Sequence, residues 1–271
     1  MIPRRFKTRC QGFSRLDLLA VLATAALLAL VATAMASTHR VTPEVILCQE
    51  NLRRLSKGWH AHGTDNTLLA RNPHGPEATV PNPLTPDSWA LGWLDWTTTP
   101  DNTNLSRIQV PAFVPYVGTD TGIFRCPSDR YITPVQRSLG WHYRLRTYAM
   151  NSLVHSTAAD VFYSPAYARF RTLSDFSSPQ TTWVFTEEHP DSMSDPNFLP
   201  ADVGGRFIDL PASFHDGGAN FAFADGHVET RRWLNARIRQ PVRGMMFDLF
   251  TVPRADLDLR WLDERTTQPL R

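Results

Sequence analysis

The feature that most constrains this chain is a run of 19 residues without a charged side chain, Leu18 to Ala36. As a helix rising 1.5 Å per residue, this run would be roughly 28 Å long, close to the roughly 30 Å hydrocarbon core of a bilayer. Residues 1–15 contain five basic side chains and no acidic one. Such a flank predicts a cytoplasmic N-terminus. The sequence therefore predicts one membrane-spanning helix, with its N-terminus in the cytoplasm and the remaining domain on the other side of the membrane.

Two processing events fit this segment. A signal peptidase could cut after the small-residue site Ala34-Met35-Ala36. Alternatively, Gly12-Phe13-Ser14-Arg15-Leu16-Asp17 resembles a prepilin leader site, at which a peptidase cuts after Gly and methylates the new N-terminal Phe. Gly12, Phe13 and Asp17 match that site, with Asp in place of the usual Glu, whereas Ser14 and Arg15 depart from it. The resemblance implies a leader over 1–12 and a transmembrane or assembly helix over 13–36.

The overall charge depends on that leader. The chain has 28 Lys plus Arg against 26 Asp plus Glu, and residues 1–12 carry four of the basic residues and no acidic one. Their removal changes the formal net charge from +2 to −2. A balance so close to zero argues against a nucleic-acid partner, which would favour a strongly basic surface.

A second helical pattern follows over residues 37–63. Its apolar positions recur every three or four residues and form one stripe: Val41, Val45, Cys48, Leu52, Leu55 and Trp59. We expect a helix of roughly 40 residues or more, whose first half spans the membrane and whose amphipathic second half packs on the globular domain. Pro43 should kink this helix or mark a new first turn.

Residues 64–271 form the predicted globular domain. Thr147–Asn151 and Thr181–Glu187 read as short buried strands. A hairpin is predicted within 215–233, with strands Asn220–Ala224 and His227–Trp233. Asp225-Gly226 would be its two-residue type I′ turn.

The hairpin lies in a longer signature. A His, nine residues, then Asp-Gly resembles the C-terminal H-x9-DG domain of bacterial prepilin-type proteins, which are pseudopilin-like proteins of type II secretion systems. Further matching segments are Cys48-x-x-Asn51-Leu52, Cys126-Pro127-Ser128-Asp129, Tyr148-Ala149-Met150-Asn151, Glu187-Glu188-His189-Pro190-Asp191-Ser192 and Trp261–Thr266. The resemblance implies an α+β, pilin-like fold: a long N-terminal helix on a small antiparallel sheet with long loops. It implies no established catalytic activity.

Three cysteines are present, and Cys10 lies in the predicted leader. In an exported domain the remaining pair, Cys48 and Cys126, is more naturally a disulfide than two free thiols. Two buried, inert thiols remain the alternative.

Two polar clusters flank the predicted strands. If the strands are neighbours, the clusters converge into a possible divalent-metal site. The candidate ligands are Glu188, His189, Asp191, His215, Asp225 and His227. Their spacing matches no tight metal motif, so structural hydrogen bonding is the competing interpretation. No other cofactor is expected.

The resemblance implies a pseudopilin-like structural protein rather than an enzyme. It also implies a single-pass inner-membrane protein whose globular domain is exported to the periplasm or the cell surface. Its partners would be a prepilin peptidase, the inner membrane and other pilin-like subunits, which it would contact through the N-terminal helix. Two alternatives stay open. One is a secreted or periplasmic metal-dependent hydrolase behind an ordinary signal peptide, and the other is a membrane-anchored binding module that does not polymerise.

Overall fold

The structure is a computed structural model that describes residues 14–37, 42–79, 86–156, 158, 167–202 and 204–268. The chain divides into two compact units, Met1–Thr42 and Pro43–Arg271. Helices and strands occur together in the second unit, so the predicted α+β class is confirmed. The predicted cleavage residues Gly12 and Phe13, with the rest of the leader, lie outside the described residues.

The first unit contains helix α1, Arg15–Ser37. Among the described residues, no helix combines the length and the apolar character needed to cross a membrane. The predicted membrane-spanning half of the helix and the single-pass inner-membrane localisation are therefore wrong. Two of the first three residues of α1, Arg15 and Asp17, carry a charge.

The expected single long helix is also corrected. Helix α2, Pro43–Asp65, begins the second unit, and Thr42 directly before it is not helical. The cause is Pro43, whose ring disfavours helical geometry at the preceding residue but suits the first position of a new helix. The predicted stripe on α2 is confirmed from Cys48 onward, since Cys48, Leu52, Leu55 and Trp59 are all fully buried. Val45 is half-buried, and Val41 lies outside the described residues.

Within its described residues, the second unit has seven short strands and, besides α2, four more α-helices. The strands are β1 Tyr148–Asn151, β2 Trp183–Glu187, β3 Asn197–Phe198, β4 Arg206–Phe207, β5 Gly218–Phe223, β6 Val228–Arg232 and β7 Phe250–Thr251. The helices are α3 Pro76–Thr79, α4 Val114–Val117, α5 Pro134–Ser138 and α6 Leu257–Thr266, and 3₁₀ turns span Pro100–Asn102, Leu105–Arg107, Thr121–Phe124 and Leu173–Asp175. The predicted strands near residues 148 and 183 are confirmed.

Five strands form the main sheet in the order β3-β1-β2-β5-β6. All pairs are antiparallel except β1 with β3, which is parallel, so the sheet is mixed rather than purely antiparallel. Strands β4 and β7 pair separately. Helix α2 packs against β2, β5 and β6.

Both faces of β5 are buried, in two separate hydrophobic clusters. Ala222 packs in the cluster that contains the α2 stripe, whereas Phe221 and Phe223 pack in the cluster that contains residues of α6. Successive side chains on a strand point to opposite faces. The alternation predicted for this strand is therefore confirmed, and the sheet is the central layer of the domain.

The turns around β5 differ from the prediction. Between β5 and β6 the Gly226 amide donates to the Phe223 carbonyl, and Gly226 has a φ of 91°. Asp225 is not among the described non-glycine residues with positive φ. The loop is therefore a three-residue connection with glycine in the left-handed position, and the predicted two-residue type I′ turn is wrong here. Asp225 Oδ1 accepts from the His227 amide, which fixes the loop locally.

The two consecutive positive φ values that a type I′ turn requires occur just before β5 instead. Asp216 has a φ of 53° and Gly217 a φ of 76°. His215 and Gly218 exchange backbone hydrogen bonds of 3.0 and 3.1 Å across these two residues. This is the pattern of a two-residue Asp-Gly turn. It fixes the position at which the His215 side chain leaves the backbone.

Candidate functional site

Four buried side chains from four separate segments converge beneath α2. Cys48 lies on α2, Cys126 follows the 3₁₀ turn Thr121–Phe124, Glu187 ends β2, and His215 precedes the Asp-Gly turn. One potential ligand atom from each lies within 4.8 Å of all the others. His215 is 4% exposed and the other three residues are 0% exposed. We call Cys48, Cys126, Glu187 and His215 the buried cluster.

Glu187 Oε1 is the common contact of the buried cluster. It accepts a hydrogen bond from the Cys48 thiol at 2.7 Å and lies 2.6 Å from His215 Nε2. His215 Nε2 also lies 3.5 Å from Cys126 Sγ. The two sulfurs, the carboxylate oxygen and the imidazole nitrogen therefore face one common point.

Backbone groups hold the anionic ligand candidates from outside. The Asn220 amide donates to Glu187 Oε2 at 2.6 Å, and the Ser128 amide donates to Cys126 Sγ at 3.4 Å. Amide donors directed at a carboxylate or a sulfur stabilise the negatively charged form.

Two side chains position the sulfurs. The Tyr148 hydroxyl lies 3.1 Å from Cys48 Sγ, and Tyr148 is the β1 residue directly opposite Glu187. One helical turn after Cys48, the Asn51 side chain donates to the Arg125 carbonyl at 2.9 Å. This bond ties the segment that carries Cys126 to α2.

The electrostatics of the cluster follow from burial and mutual contact. Burial raises the pKa of the Cys48 thiol to about 11 and that of the Cys126 thiol well above its ordinary value. Burial by itself would lower the pKa of His215, but the hydrogen bonds with Cys126 and Glu187 outweigh it and raise the pKa to about 10. The raised pKa of His215 favours its protonated form, and the raised pKa values of Cys48 and Cys126 favour their thiol forms.

The predicted disulfide partners are brought together but not joined. Cys48 and Cys126 are both free and buried, and their sulfurs lie within 4.8 Å of one another. A disulfide between them stays a prediction.

The six predicted metal ligands do not share one site in the structure. Within the described part of the chain, the buried cluster is the one group of three or more such side chains whose ligand atoms converge, and only His215 belongs to both sets. Asp225 and His227 pair with each other at 2.6 Å on the exposed loop.

The three predicted ligands from the segment after β2 have separate partners. Asp191 accepts from the backbone amides of Arg243 and Gly244, while His189 Nε2 lies 3.1 Å from the Gln240 carbonyl oxygen. Glu188 accepts from the Ser192 hydroxyl at 2.9 Å and faces the buried Arg146. These contacts are structural hydrogen bonds. They agree with the alternative to a metal site that the sequence left open.

Three members of the buried cluster are not among the predicted metal ligands. The sequence predicts Cys48 and Cys126 as a disulfide pair, and it favours Glu188 over Glu187 as a ligand. Strand alternation could have chosen between them, because Glu187 shares a face with Phe185, which packs with the α2 stripe. That signal places Glu187, and not Glu188, under the helix that carries Cys48.

Asp17, the remaining predicted processing residue, lies in the first turn of α1. Its carboxylate accepts from the Ser14 amide at 2.8 Å, while the Ser14 hydroxyl accepts from the Asp17 amide at 3.2 Å. This reciprocal pair is a capping box, which satisfies backbone donors that a helix start leaves free. The hydrogen bonds from Ser14 lower the pKa of Asp17. The acidic residue thus has a role within its own chain.

Comparisons with protein-family models, with curated proteins and with solved structures found no match for this chain.

Proposed function

We propose that this chain is a non-enzymatic, pseudopilin-like structural subunit, processed by a prepilin peptidase and assembled with other pilin-like subunits through α1. The single observation that carries the proposal is the exposed apolar surface of α1. Eight of its large apolar side chains are at least half exposed: Leu16, Leu18, Leu19, Val21, Leu22, Leu27, Leu28 and Leu30.

These side chains point in all directions around the helix. At about 100° per residue, the eight positions together leave no gap wider than about 100° around the helix axis. A helix that is apolar on every side is stable only when other apolar surface surrounds it. Equivalent helices of neighbouring subunits supply such a surface, and this is the kind of contact that the resemblance to pseudopilins implies.

The start of α1 is consistent with processing at the leader. The helix begins at Arg15, two residues after the predicted new N-terminus Phe13, and the Ser14–Asp17 capping box closes its first turn. A cut after Gly12 would therefore leave nearly the whole mature N-terminus in a helix that is ready to pack.

The buried cluster argues against the alternative of a metal-dependent hydrolase. Catalytic zinc sites keep one coordination position open to water or substrate, whereas structural sites are closed by four protein ligands. All four side chains of the cluster are buried, and the cluster supplies four ligands. Its geometry therefore favours a structural role.

The test is the mature N-terminus together with the assembly state. With a prepilin peptidase co-expressed, we expect intact mass to show a chain that begins at Phe13 and size measurements to show oligomers. Leu22→Lys should dissociate them, because it places a charge within the α1 contact. Leu234→Lys is the matched control, since Leu234 is similarly exposed but lies outside α1. A mature chain that begins at Ser37, or oligomers that Leu22→Lys leaves intact, would refute the proposal.

A further inference from the structure

We propose that Cys48, Cys126, Glu187 and His215 form a closed structural site for a zinc ion. This inference rests on the geometry of the globular unit and is independent of the function proposed for α1. Two sulfurs, one imidazole nitrogen and one carboxylate oxygen are all zinc ligands, and four protein ligands are the number that a closed tetrahedral site requires. The mixture of soft sulfur with nitrogen and oxygen favours zinc over calcium or magnesium, which prefer oxygen alone.

The distances between the ligand atoms are close to those around one tetrahedral zinc ion. Zinc bonds of about 2.0–2.3 Å in tetrahedral geometry separate the ligand atoms by about 3.3–3.8 Å. Cys126 Sγ and His215 Nε2 are 3.5 Å apart, and the two contacts of Glu187 Oε1 are 2.7 and 2.6 Å. A small rotation of the carboxylate lengthens these two hydrogen bonds to ligand spacing, so the backbone can stay in place.

The groups around the ligands suit a charged site. A metal site depends on outer contacts that orient its ligands, and their loss lowers affinity. The amide of Ser128 faces the Cys126 sulfur, the amide of Asn220 faces the free oxygen of Glu187, and the Tyr148 hydroxyl faces the Cys48 sulfur. Three of the four ligands therefore have an outer contact in place.

Binding would exchange protons for the ion. The Cys48 and Cys126 thiols and the His215 imidazolium each release one proton, and Glu187 binds as the carboxylate. The resulting site holds two thiolates, one carboxylate, one neutral imidazole and Zn²⁺, for a net charge of −1. No electron is transferred.

A groove of about 420 Å³ lies beside the site. Its walls include Asn51, Arg54, Asp120, Arg125 and Cys126. Arg54 and Asp120 form a 2.8 Å ion pair at this groove. Cys126 is the member of the buried cluster that lines the groove.

A disulfide between Cys48 and Cys126 would compete for the same two sulfurs. It would remove the thiol hydrogen that Cys48 donates to Glu187 and leave Glu187 and His215 as a buried pair with fewer contacts. A zinc ion instead engages all four side chains at once. We therefore favour zinc, and the experiment distinguishes the two.

The test uses the full-length chain, purified under reducing conditions and supplied with zinc sulfate. Elemental analysis after gel filtration should give one zinc per chain, and a chelator should lower the melting temperature. Cys48→Ser and His215→Ala should each abolish zinc retention. The matched controls, Cys10→Ser and His227→Ala, should retain one zinc, because both remove the same residue type outside the cluster.

A second measurement covers the case in which the ligand variants fail to fold. Cobalt(II) added to the unsubstituted chain should produce sulfur-to-metal charge-transfer absorption, which zinc then displaces. The proposal is overturned by any of three results: no zinc retention with no such absorption, equal zinc binding in Cys48→Ser, or a native chain that carries only the Cys48–Cys126 disulfide. None of these results bears on assembly through α1.

Discussion

Two histidine–carboxylate pairs in this domain have the same separation but different surroundings. His215 Nε2 lies 2.6 Å from Glu187 Oε1, and His227 Nδ1 lies 2.6 Å from Asp225 Oδ1. The side chains of the first pair are 2% and 0% exposed, and those of the second are 42% and 35% exposed. Water competes for the second pair and screens it, whereas the first pair has only protein atoms around it. Burial, rather than distance, therefore decides what such a pair contributes.

The largest expected effect comes from breaking the buried pair. Glu187→Ala should lower the free energy of unfolding by about 3–5 kcal/mol, because it leaves His215 and the Cys48 thiol buried without their shared acceptor. Asp225→Ala should change it by less than about 1 kcal/mol, since exposed pairs contribute little. Urea unfolding of both variants in chelator-containing buffer measures the contrast. Equal losses would remove the distinction between the two pairs.

In the exposed loop between β5 and β6, the effect of a substitution on stability should depend on backbone conformation instead. Gly226 has a φ of 91°, and a Cβ there would meet nothing within 4 Å, so its requirement is conformational rather than steric. Gly226→Val should lower stability by about 1–3 kcal/mol through backbone strain. Gly226→Asn should lose less, because Asn tolerates left-handed geometry better than a β-branched residue. The melting temperature should fall in the order Gly, Asn, Val at position 226. Any other order would contradict the strain argument.

The third prediction concerns the pKa of Asp209, a buried carboxyl group outside the two histidine–carboxylate pairs. Burial raises the pKa of Asp209 to about 8, and nearby Asp195 adds to the rise, whereas the Leu199 amide, His74 and Arg146 oppose it. The folded chain thus keeps this proton to a higher pH than the unfolded chain. The stability that the protonated group contributes is fully present below pH 4 and is lost as pH rises through about 8.

The asparagine side chain of the Asp209→Asn variant cannot ionise, so this variant should not lose stability in this way as the pH rises. At pH 8 the variant should be more stable than the unsubstituted chain by about 1 kcal/mol or more, and the two should converge near pH 4. The Asn side-chain oxygen can still accept the 2.7 Å hydrogen bond from the Leu199 amide. Urea unfolding across this pH range checks the slope. If the free energy of unfolding changes with pH equally in the two chains, Asp209 does not control the pH dependence.

Local pattern was enough to predict several elements of the domain. The 3–4 spacing of apolar residues predicted the buried face of α2, and short β-branched and aromatic runs predicted β1 and β2. Each of these features depends on neighbours within one or two turns or strand repeats, so the chain itself encodes it. The effect of Pro43 was also local, and it ended the expected long helix.

The two turns around β5 show where local reasoning is insufficient. Asp216-Gly217 and Asp225-Gly226 are the same dipeptide, yet only the first has positive φ at both residues. The register of β5 with β6, in which Ala222 faces Val228, leaves too many residues at the second site for a two-residue turn. Strand pairing, rather than the dipeptide, selects the turn type.

The sequence by itself determined strands β1, β2, β5 and β6, the buried stripe of α2 and the donor types available for a site. Only the tertiary structure decided which donors meet. Cys48, Cys126, Glu187 and His215 lie on four segments separated by long stretches of chain, and their convergence follows from α2 packing on β2 and β5 and from the bond between Asn51 and Arg125. A one-residue step along β2 exchanges Glu187 for Glu188 and so moves a carboxylate to the other face of the sheet. Alternation along β2 places the two carboxylates on opposite faces, whereas long-range packing decides which face lies under α2.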